Sequence, residues 1–178
     1  MDARSEAVDG IKADEAPFDF EATFRAQYAR IATVIARVVR DPARAEELAV
    51  EVFLKLWRTP QAHSEKAGGW LYKVAIRKGL DELRRRTRRT RYERLLGFVK
   101  VPTPEEICAA TEEQERVRLV LTVMEARQAE LLLLYSHGLS YDEMASALDL
   151  KSVSIGTLLN RAQQIFRKEY TKRHGEQQ

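Results

Sequence analysis

The sequence predicts an all-α protein of two small helical domains, an N-terminal helical bundle and a C-terminal helix-turn-helix domain, joined by a short flexible linker. Apolar residues recur at steps of three and four along most of the chain, whereas the alternation typical of strands is nearly absent. Prolines and capping residues divide this pattern into segments of helical length. With 178 residues and 44% hydrophobic content, the chain can form real cores.

The first predicted helix carries an apolar stripe. Its members follow one another at steps of four and three, which brings them to one face: Phe24, Tyr28, Ile31, Ile35 and Val38. Asp41, a good N-cap, and Pro42, a good first helical residue, then open a second helix. We expect its buried face to consist of Leu48, Val52, Phe53, Leu56 and Trp57.

A third helix is predicted to start near Trp70, after a connecting loop over 59–69, and its inward side chains are Leu71, Val74, Ala75 and Leu83. It continues without a helix breaker into "RRRTRRTRYER", residues 84–94, which holds seven arginines. Such a focused positive patch is typical of a protein that binds polyanions. A solvated helix face or a flexible arm remains the alternative explanation.

The linker is predicted at 97–103, because Pro102 lies within it and Pro104 directly follows it, and because Thr103, Pro104 and Glu106 form a capping box that starts a new helix. The domains are therefore predicted at 17–96 and 104–173, preceded by an acidic N-terminal tail, 1–16, that is expected to be disordered.

In the second domain, Gly138 is predicted to end a helix that contains "AELLLLYSH". Ser140 and Glu143 form a capping box for a short helix over 141–148, and Ser154 is predicted to cap a helix that runs to about Tyr170.

Two helices joined by a tight turn match the helix-turn-helix plan, and the small Ala145 lets them approach closely. The predicted inward stripe of the second helix consists of Leu158, Ala162, Ile165 and Phe166. The opposite face is rich in amide and guanidinium groups, which can pair with base edges in a major groove: Asn160, Arg161, Gln163, Gln164 and Arg167. A plain helical hairpin with a polar surface is the alternative.

Several classes of function are poorly supported. Cys108 is the one cysteine, and the three histidines lack the spacing of metal ligands, so we expect no metal and no cofactor. No Gly-rich phosphate loop or nucleophile elbow is found, which argues against an enzyme. No run approaches the roughly 18 apolar residues that span a bilayer, and the N-terminus is too acidic for a secretory signal. The expected location is the cytoplasm, without membrane insertion.

Four segments together resemble bacterial RNA polymerase sigma factors of the extracytoplasmic-function (ECF) type, within the sigma-70 family. These are "ARAEELAVEVFLKLWR", "GGWLYKVAIRKGLDELRRR", "GLSYDEMASAL" and "SIGTLLNRA", and they stand in the family's order and at its separation. The resemblance covers about 20–96 and 105–170. It implies that 17–96 is sigma region 2 and that 104–173 is sigma region 4.

The resemblance implies a transcription initiation factor that binds core RNA polymerase, recognises the minus-ten and minus-thirty-five promoter elements and promotes promoter melting. Relatives are commonly held by anti-sigma factors, so such a partner is also implied. A stand-alone helix-turn-helix DNA-binding regulator with an N-terminal interaction domain is the alternative function.

The resemblance also implies three sets of site residues. Core polymerase would be bound through the acidic residues Glu46, Glu47 and Glu51. The minus-ten element would be bound by Tyr72, Lys73, Arg77, Lys78, Arg84 and Arg85, with a base pocket in the loop 59–69. The minus-thirty-five element would be bound by Ser154, Thr157, Asn160, Arg161, Gln163, Gln164 and Arg167.

The chain departs from the family pattern at four places. Val50 stands where glutamine is usual, Arg77 where asparagine is frequent and Leu159 where many members have a basic residue. The turn before Ser154 is predicted to be about two residues longer than in relatives. These departures are expected to change individual polymerase or DNA contacts.

Overall fold

The computed structural model describes residues 18–96 and 112–175, and every regular element within them is a helix, which confirms the all-α fold. The elements in chain order are α1 (Phe20–Val39), α2 (Pro42–Trp57), a 3-10 turn (Pro60–Ala62), α3 (Ala67–Leu95), α4 (Glu112–Val123), α5 (Ala126–Ser136), α6 (Tyr141–Leu148) and α7 (Ser152–His174). Among these helices, none has the length and apolarity needed to cross a membrane.

Some predictions fall outside the described residues. These are the acidic tail at 1–16, the linker at 97–103, the capping box of Thr103, Pro104 and Glu106, and Cys108. The described part of the second unit begins at Glu112.

The first unit is a bundle of α1, α2 and α3. Ile31 and Ile35 are fully buried, and Val38 is almost so, which confirms the predicted stripe of α1. Phe24 and Tyr28 complete the stripe by packing around Phe53 of α2, with ring centroids 4.9 and 6.0 Å from it. Aromatic clusters of this kind bury a large apolar area, and they fix the angle at which α1 meets α2.

The start of α2 follows the prediction, but its last residue does not. Asp41 caps the helix, because its carboxylate accepts a hydrogen bond of 3.0 Å from the backbone N–H of Arg44. The predicted core residues Leu48, Val52, Phe53 and Leu56 are buried. Trp57 is 61% exposed, so its predicted burial is wrong. Since each residue turns the helix by about 100°, Trp57 points roughly opposite to Leu48.

Helix α3 is long and continuous. It begins at Ala67, three residues before Trp70, and its inward side chains include the four that were predicted. A Cβ added at Gly79 would lie 3.3 Å from Val38, so α1 and α3 cross closely at this glycine. The arginine run lies in this same helix, which ends at Leu95. The run is therefore a rigid extension of the bundle.

The second unit contains the predicted turns. Helix α5 ends at Ser136, and Gly138 follows in the left-handed conformation with φ of +79°. The capping box at the start of α6 is formed: the carboxylate of Glu143 accepts from the backbone N–H of Ser140 at 2.7 Å, and the Ser140 hydroxyl accepts from the N–H of Glu143 at 3.3 Å. Hydrogen bonds from Ser140 lower the pKa of Glu143. Ala145 is buried, as close helix packing requires.

Two predictions about α7 are wrong. The helix starts at Ser152 with Lys151 at the N-cap, so Ser154 lies inside the first turn and does not cap it. The turn after α6 holds only residues 149–151, and so the predicted lengthening is absent. The left-handed Asp149 makes this short turn, and the Ser152 hydroxyl then donates to Asp142 of α6. The helix continues to His174, four residues past the predicted end.

The inward face of α7 also differs slightly from the prediction. Its fully buried side chains are Ile155, Leu159 and Ala162, while Leu158 is only partly buried. Leu159 therefore contributes to the core. A basic residue is missing at this position because the side chain packs inside the domain, where a charge would be costly.

The two units are packed against each other, and their apolar side chains form one continuous cluster. Helix α3 contacts α4, α5 and α6. Arg118 of α4 also donates to the backbone oxygens of Val38 and Arg37 at 3.1 Å each, which ties α4 to the end of α1. Burial at this contact lowers the pKa of Arg118.

Candidate nucleic-acid interfaces

The six predicted minus-ten residues all lie on α3, but they do not share one face. At about 100° per residue, Lys73, Arg77 and Arg84 fall on one stripe. Lys78 and Arg85 fall on a neighbouring stripe, and Tyr72 falls on a third side of the helix. We call the first group the basic stripe. It faces the second unit in this structure, as its contacts show.

Arg77 makes the most specific of these contacts. Its guanidinium binds both carboxylate oxygens of Glu130 on α5, with Nε to Oε1 at 2.6 Å and Nη2 to Oε2 at 3.2 Å. Glu130 is 2% exposed, whereas the side chain of Arg77 is 53% exposed. Paired, charge-assisted hydrogen bonds of this type are among the strongest in proteins. Arg77 is therefore held by a carboxylate at the edge of the interface between the units.

Arg84 contacts the end of α4. Its Nη2 donates to the backbone oxygen of Met124 at 3.1 Å, and its Nε approaches that of Thr122 at 3.4 Å. The last carbonyls of a helix lack partners within that helix, and a cation nearby satisfies them. Lys73, the third member of the basic stripe, is half-buried.

The second pair of cations binds acids of the first unit. Lys78 pairs with Glu51 of α2, and Arg85 lies 3.0 Å from Glu82. Glu82 is buried and also binds Arg44 at 3.3 Å. Burial raises the pKa of Glu82, but hydrogen bonds from Arg85 and Arg44 outweigh it, and the pKa is lowered overall. Glu82 is thus a buried negative charge that holds Arg85 and Arg44. This role was not predicted from the sequence.

Tyr72 lines a cleft between the two units, about 300 Å³ in volume. Gly68 and Gly69 of the predicted base-pocket loop line the same cleft, and Gly138 and Leu139 lie on its opposite wall. The second unit therefore forms one side of the place where an unstacked base was predicted to bind.

The arginine run beyond Arg85 extends away from these contacts. Arg86 donates to the backbone oxygen of Val39 at 3.0 Å. Arg88, Arg89 and Arg91 are exposed, and Arg89 pairs with Glu93 at 2.8 Å. This part of α3 is a positively charged helical segment that faces solvent, and it is suited to binding phosphates without base preference.

The predicted polymerase-binding acids lie on α2. Glu46 and Glu47 are exposed, and Glu47 pairs with Arg44 at 2.6 Å. Glu51 is partly buried by its ion pair with Lys78. Glu46 and Glu47 are therefore the more exposed members of the set, and Glu47 and Glu51 are each held by an ion pair.

An apolar stripe beside these acids was missed at the sequence level. Val50, Leu54 and Trp57 are 44%, 42% and 61% exposed, and their steps of four and three place them on the outer face of α2. The signal was present in the spacing, because these residues lie opposite Leu48 and Val52 on a helix. Val50, a departure from the family pattern, belongs to this apolar surface. We call this apolar stripe, together with the exposed Glu46 and Glu47, the α2 surface.

The predicted minus-thirty-five residues lie on α7. Six of the seven are exposed: Thr157, Asn160, Arg161, Gln163, Gln164 and Arg167. Ser154 is half-buried. The helix is held from behind by buried Ile155, Leu159 and Ala162, so the exposed side chains share its outer side. This is the arrangement of a recognition helix in a helix-turn-helix domain.

Comparison with known proteins finds similarity to one family. Residues 23–89 match the family model for sigma-70 region 2. ECF RNA polymerase sigma factor SigK of Mycolicibacterium vanbaalenii is 28% identical, and the alignment covers 84% of this chain and 80% of that protein. The corresponding protein of Mycobacterium sp. (strain KMS) is 25% identical over 80% of this chain and 76% of its own. The chain thus contains a sigma-70 region 2 and is similar over most of its length to ECF RNA polymerase sigma factors.

A further relative and a solved structure are also similar to this chain. The probable ECF sigma factor SigI of Mycobacterium tuberculosis is 30% identical, and the alignment covers 79% of this chain and 52% of that protein. The structure of the sigma factor RpoE in complex with the anti-sigma factor NepR from Bartonella quintana matches with a TM-score of 0.50 and 16% identity, over 85% of this chain and 96% of that one. That likeness concerns the fold. The region 2 match covers most of α1, all of α2 and most of α3, including all predicted polymerase-binding and minus-ten residues.

Proposed function

We propose that this chain is an ECF sigma factor, a transcription initiation factor that binds bacterial core RNA polymerase, recognises minus-ten and minus-thirty-five elements and promotes promoter melting. It acts in the cytoplasm, where polymerase acts, and it is not itself an enzyme. One observation carries the proposal. A region 2 bundle with a cationic helix and a helix-turn-helix with an exposed polar recognition face occur in one chain.

Helix α3 would bind the minus-ten region. Its lysines and arginines supply phosphate contacts, which provide affinity and make it depend on salt. Tyr72 supplies an aromatic face on which an unpaired base can stack. Tyr72, Lys73, Arg77, Lys78, Arg84 and Arg85 are the proposed contacts, and the exposed arginines up to Arg91 extend them along the unwound strands.

Helix α7 would read the minus-thirty-five element. Asn160, Gln163 and Gln164 can each form paired hydrogen bonds with adenine, and Arg161 and Arg167 can do so with guanine or bind phosphate. Thr157 lies on the same exposed side. Ser154 lies in the first turn of α7, where its hydroxyl would contact phosphate.

The α2 surface would bind core polymerase. It combines the exposed carboxylates of Glu46 and Glu47 with the apolar side chains of Val50, Leu54 and Trp57. An apolar centre with charges at its edge is typical of protein interfaces, and aromatic side chains often dominate their affinity. The basic coiled coil that the family binds would meet the carboxylates. Glu51 contributes through its pair with Lys78.

Control by an anti-sigma factor is part of the proposal. The RpoE relative was solved in complex with such a factor, NepR. A protein that covers the α2 surface or the recognition face of α7 would prevent promoter binding.

In vitro transcription tests the proposed function. Purified protein and bacterial core polymerase are combined on a genomic template library, and the 5′ ends of the transcripts are mapped. A sigma factor produces a defined set of starts that core polymerase alone does not produce. A variant carrying Glu46→Lys and Glu47→Lys should co-elute less with core polymerase, whereas a variant carrying Glu112→Lys and Glu113→Lys is the matched control. A stand-alone regulator would instead footprint duplex DNA without polymerase and add no new starts.

A further inference from the structure

The exposed side of α7 consists of a central row and two edges. Four exposed side chains follow one another at steps of four, three and four: Val153, Thr157, Asn160 and Gln164. At about 100° per residue they lie within about 60° of helix rotation, roughly opposite the buried face of the helix. We call these four residues the central row.

We infer that the central row reads a short run of A·T base pairs in the major groove, and that Val153 contacts a thymine there. Val153 is not among the predicted minus-thirty-five residues. The inference rests on the proposed function in one respect, namely that the duplex is a promoter element. The base preference itself follows from the side chains of the row and from their positions.

The direction of the central row is fixed by the packing behind it. Three side chains on the opposite face are buried in the domain and prevent α7 from turning about its axis: Ile155, Leu159 and Ala162. The Ser152 hydroxyl donates to Asp142 of α6 and holds the first turn in place. The first turns of a recognition helix are the ones that contact base edges. Val153 and Thr157 lie in these turns.

Val153 is 87% exposed, more than any other large apolar side chain in the described part of the chain. It therefore contributes little to the packing of the domain. Thymine carries a C5-methyl group on its major-groove edge, and apolar side chains contact it there. Such a contact removes apolar surface of both partners from water. Thr157, one turn further along, adds a second methyl group to the row.

The second half of the row carries two amides. Asn160 and Gln164 lie one turn apart, and Gln164 Nε2 is 3.5 Å from Asn160 Oδ1. A side-chain amide offers a donor and an acceptor side by side, which match the N6 amino group and N7 of adenine. Guanine offers two acceptors on the same edge and is read by arginine or lysine. The row contains no cation, so its chemistry favours A·T over G·C pairs.

The cations of α7 lie at the edges of the central row. Arg161 and Lys168 fall on one side and Arg167 on the other, roughly 50–70° from the centre of the row. All three are exposed, and residues 152–168 contain no acid. Phosphates run along both rims of a major groove, so cations at both edges can bind them while the row contacts the bases.

Gln163 differs from the two amides of the row. It lines a groove between α7 and helices α4 and α5, about 360 Å³ in volume, and so faces away from the centre of the exposed side. Gln163 and Gln164 are therefore a matched pair of neighbouring amides, one outside the row and one within it.

Selection from random duplex DNA tests the inference. The full-length protein, alone and with core polymerase, enriches bound molecules from a library whose random segment is about one helical turn long. The enriched sites should contain a run of A·T pairs. Asn160→Ala and Gln164→Ala should each lower the preference for adenine at one position by about tenfold, whereas Gln163→Ala should retain that preference.

Arg161→Ala separates base reading from phosphate binding in the same selection. It should weaken binding to every sequence and should reduce the slope of log affinity against log salt by about 0.9, the value for one lost phosphate contact. The preferred bases should be those of the wild type. A change in the preferred bases would overturn the placement of Arg161 at the edge.

A base analogue tests the contact of Val153. Uracil differs from thymine by the missing C5-methyl group. At the thymine whose preference Val153→Ala lowers, uracil should weaken wild-type binding by about fourfold, the usual effect of losing one buried methyl group. It should have no further effect on Val153→Ala, because the two changes remove the same contact. Val123→Ala, at an exposed valine of α4, should respond to uracil as the wild type does. Circular dichroism confirms that all variants are folded.

The outcomes distinguish the inference from the proposed function. Suppose that G·C pairs occupy the positions that Asn160→Ala and Gln164→Ala affect, or that uracil acts equally on wild type and Val153→Ala. Either result overturns the inference, and directed transcription still supports the proposed function. If the protein alone enriches A·T sites but adds no starts with core polymerase, the proposed function is refuted and the inference is supported. Absence of enrichment both with and without polymerase overturns the inference.

Discussion

Glu82 is an acid of α3 that binds arginines of both α3 and α2. It is buried, and it accepts hydrogen bonds from Arg85 of its own helix and from Arg44 of α2. It therefore links two helices while it holds one of the proposed DNA-binding arginines. The pair with Arg85 is local, three residues along the same helix, but the pair with Arg44 cannot be inferred from local sequence, since Arg44 is 38 residues away.

We predict that Glu82→Gln lowers the free energy of unfolding by about 1–2 kcal/mol at pH 7, the usual loss for hydrogen bonds to a charged group. The lowered pKa of Glu82 means that its charge stabilises the fold above the unfolded-state value and loses that effect as pH falls through the folded-state pKa. The difference between wild type and variant should therefore shrink below about pH 4.5. Urea titrations at several pH values measure it, with exposed Glu65→Gln as the control.

At the scale of helices, three caps and turns formed by neighbouring residues were predicted correctly. Asp41 caps α2, Gly138 ends the turn after α5, and Ser140 with Glu143 starts α6. These features depend on interactions within a few residues, so the local sequence contains all of the information needed to predict them. The start of α7 was mispredicted because its N-cap, Lys151, makes no side-chain capping bond.

The faces of helices were predicted less completely. Trp57 was assigned to the core because large apolar residues are usually buried, yet its angular position places it outside. The three sets of predicted site residues stay predictions, and the pairing of Arg77 with Glu130 was not foreseen, since 53 residues separate them. Such contacts depend on how the units pack, which periodicity does not describe.

The α2 surface gives a prediction for polymerase binding. Trp57→Ala should change the free energy of unfolding by less than about 0.5 kcal/mol, because the side chain is mostly exposed. It should weaken binding to core polymerase by about tenfold or more, as loss of an aromatic anchor does. Fluorescence anisotropy with labelled protein measures the affinity. Val153→Ala, at an exposed apolar residue of α7, should leave it unchanged.

The arginine run gives a prediction about salt. Arg88→Ala with Arg91→Ala should weaken binding of single-stranded DNA in the presence of core polymerase, at every sequence tested. Losing two phosphate contacts should reduce the slope of log affinity against log salt by about 1.4. Asn160→Ala should leave that slope unchanged and should act mainly on promoters with a defined upstream element. A change of sequence preference in the arginine variant, without a change of slope, would contradict its proposed role.

At the scale of the whole molecule, His137 lies where the two units meet. Its Nδ1 is 3.4 Å from a guanidinium nitrogen of Arg37, and Arg30, Glu65, Lys66 and Glu143 line the adjoining cleft. Burial, and secondarily the charge of Arg37, lower the pKa of His137. The packed molecule therefore favours the neutral imidazole.

We predict that acid weakens this packing. A histidine whose pKa is lower in the folded state binds more protons when unfolded, so stability falls as pH drops through about 6.5 toward the folded-state pKa. His137→Gln should be less sensitive to pH between 7.5 and 5.5. Thermal unfolding across this range measures the effect, and His174→Gln, near the end of α7, serves as the control. Equal pH dependence in wild type and His137→Gln would contradict the assignment.

The contact between Gly69 and Ala147 has a genetic consequence. Both positions hold small residues, and their backbones approach so closely that a branched side chain at 147 would meet the first turn of α3. A substitution such as Ala147→Val would wedge the units apart while every proposed DNA contact stayed intact. Screens for temperature-sensitive mutants should therefore recover changes at this small seam, although Ala147 is not among the proposed promoter contacts.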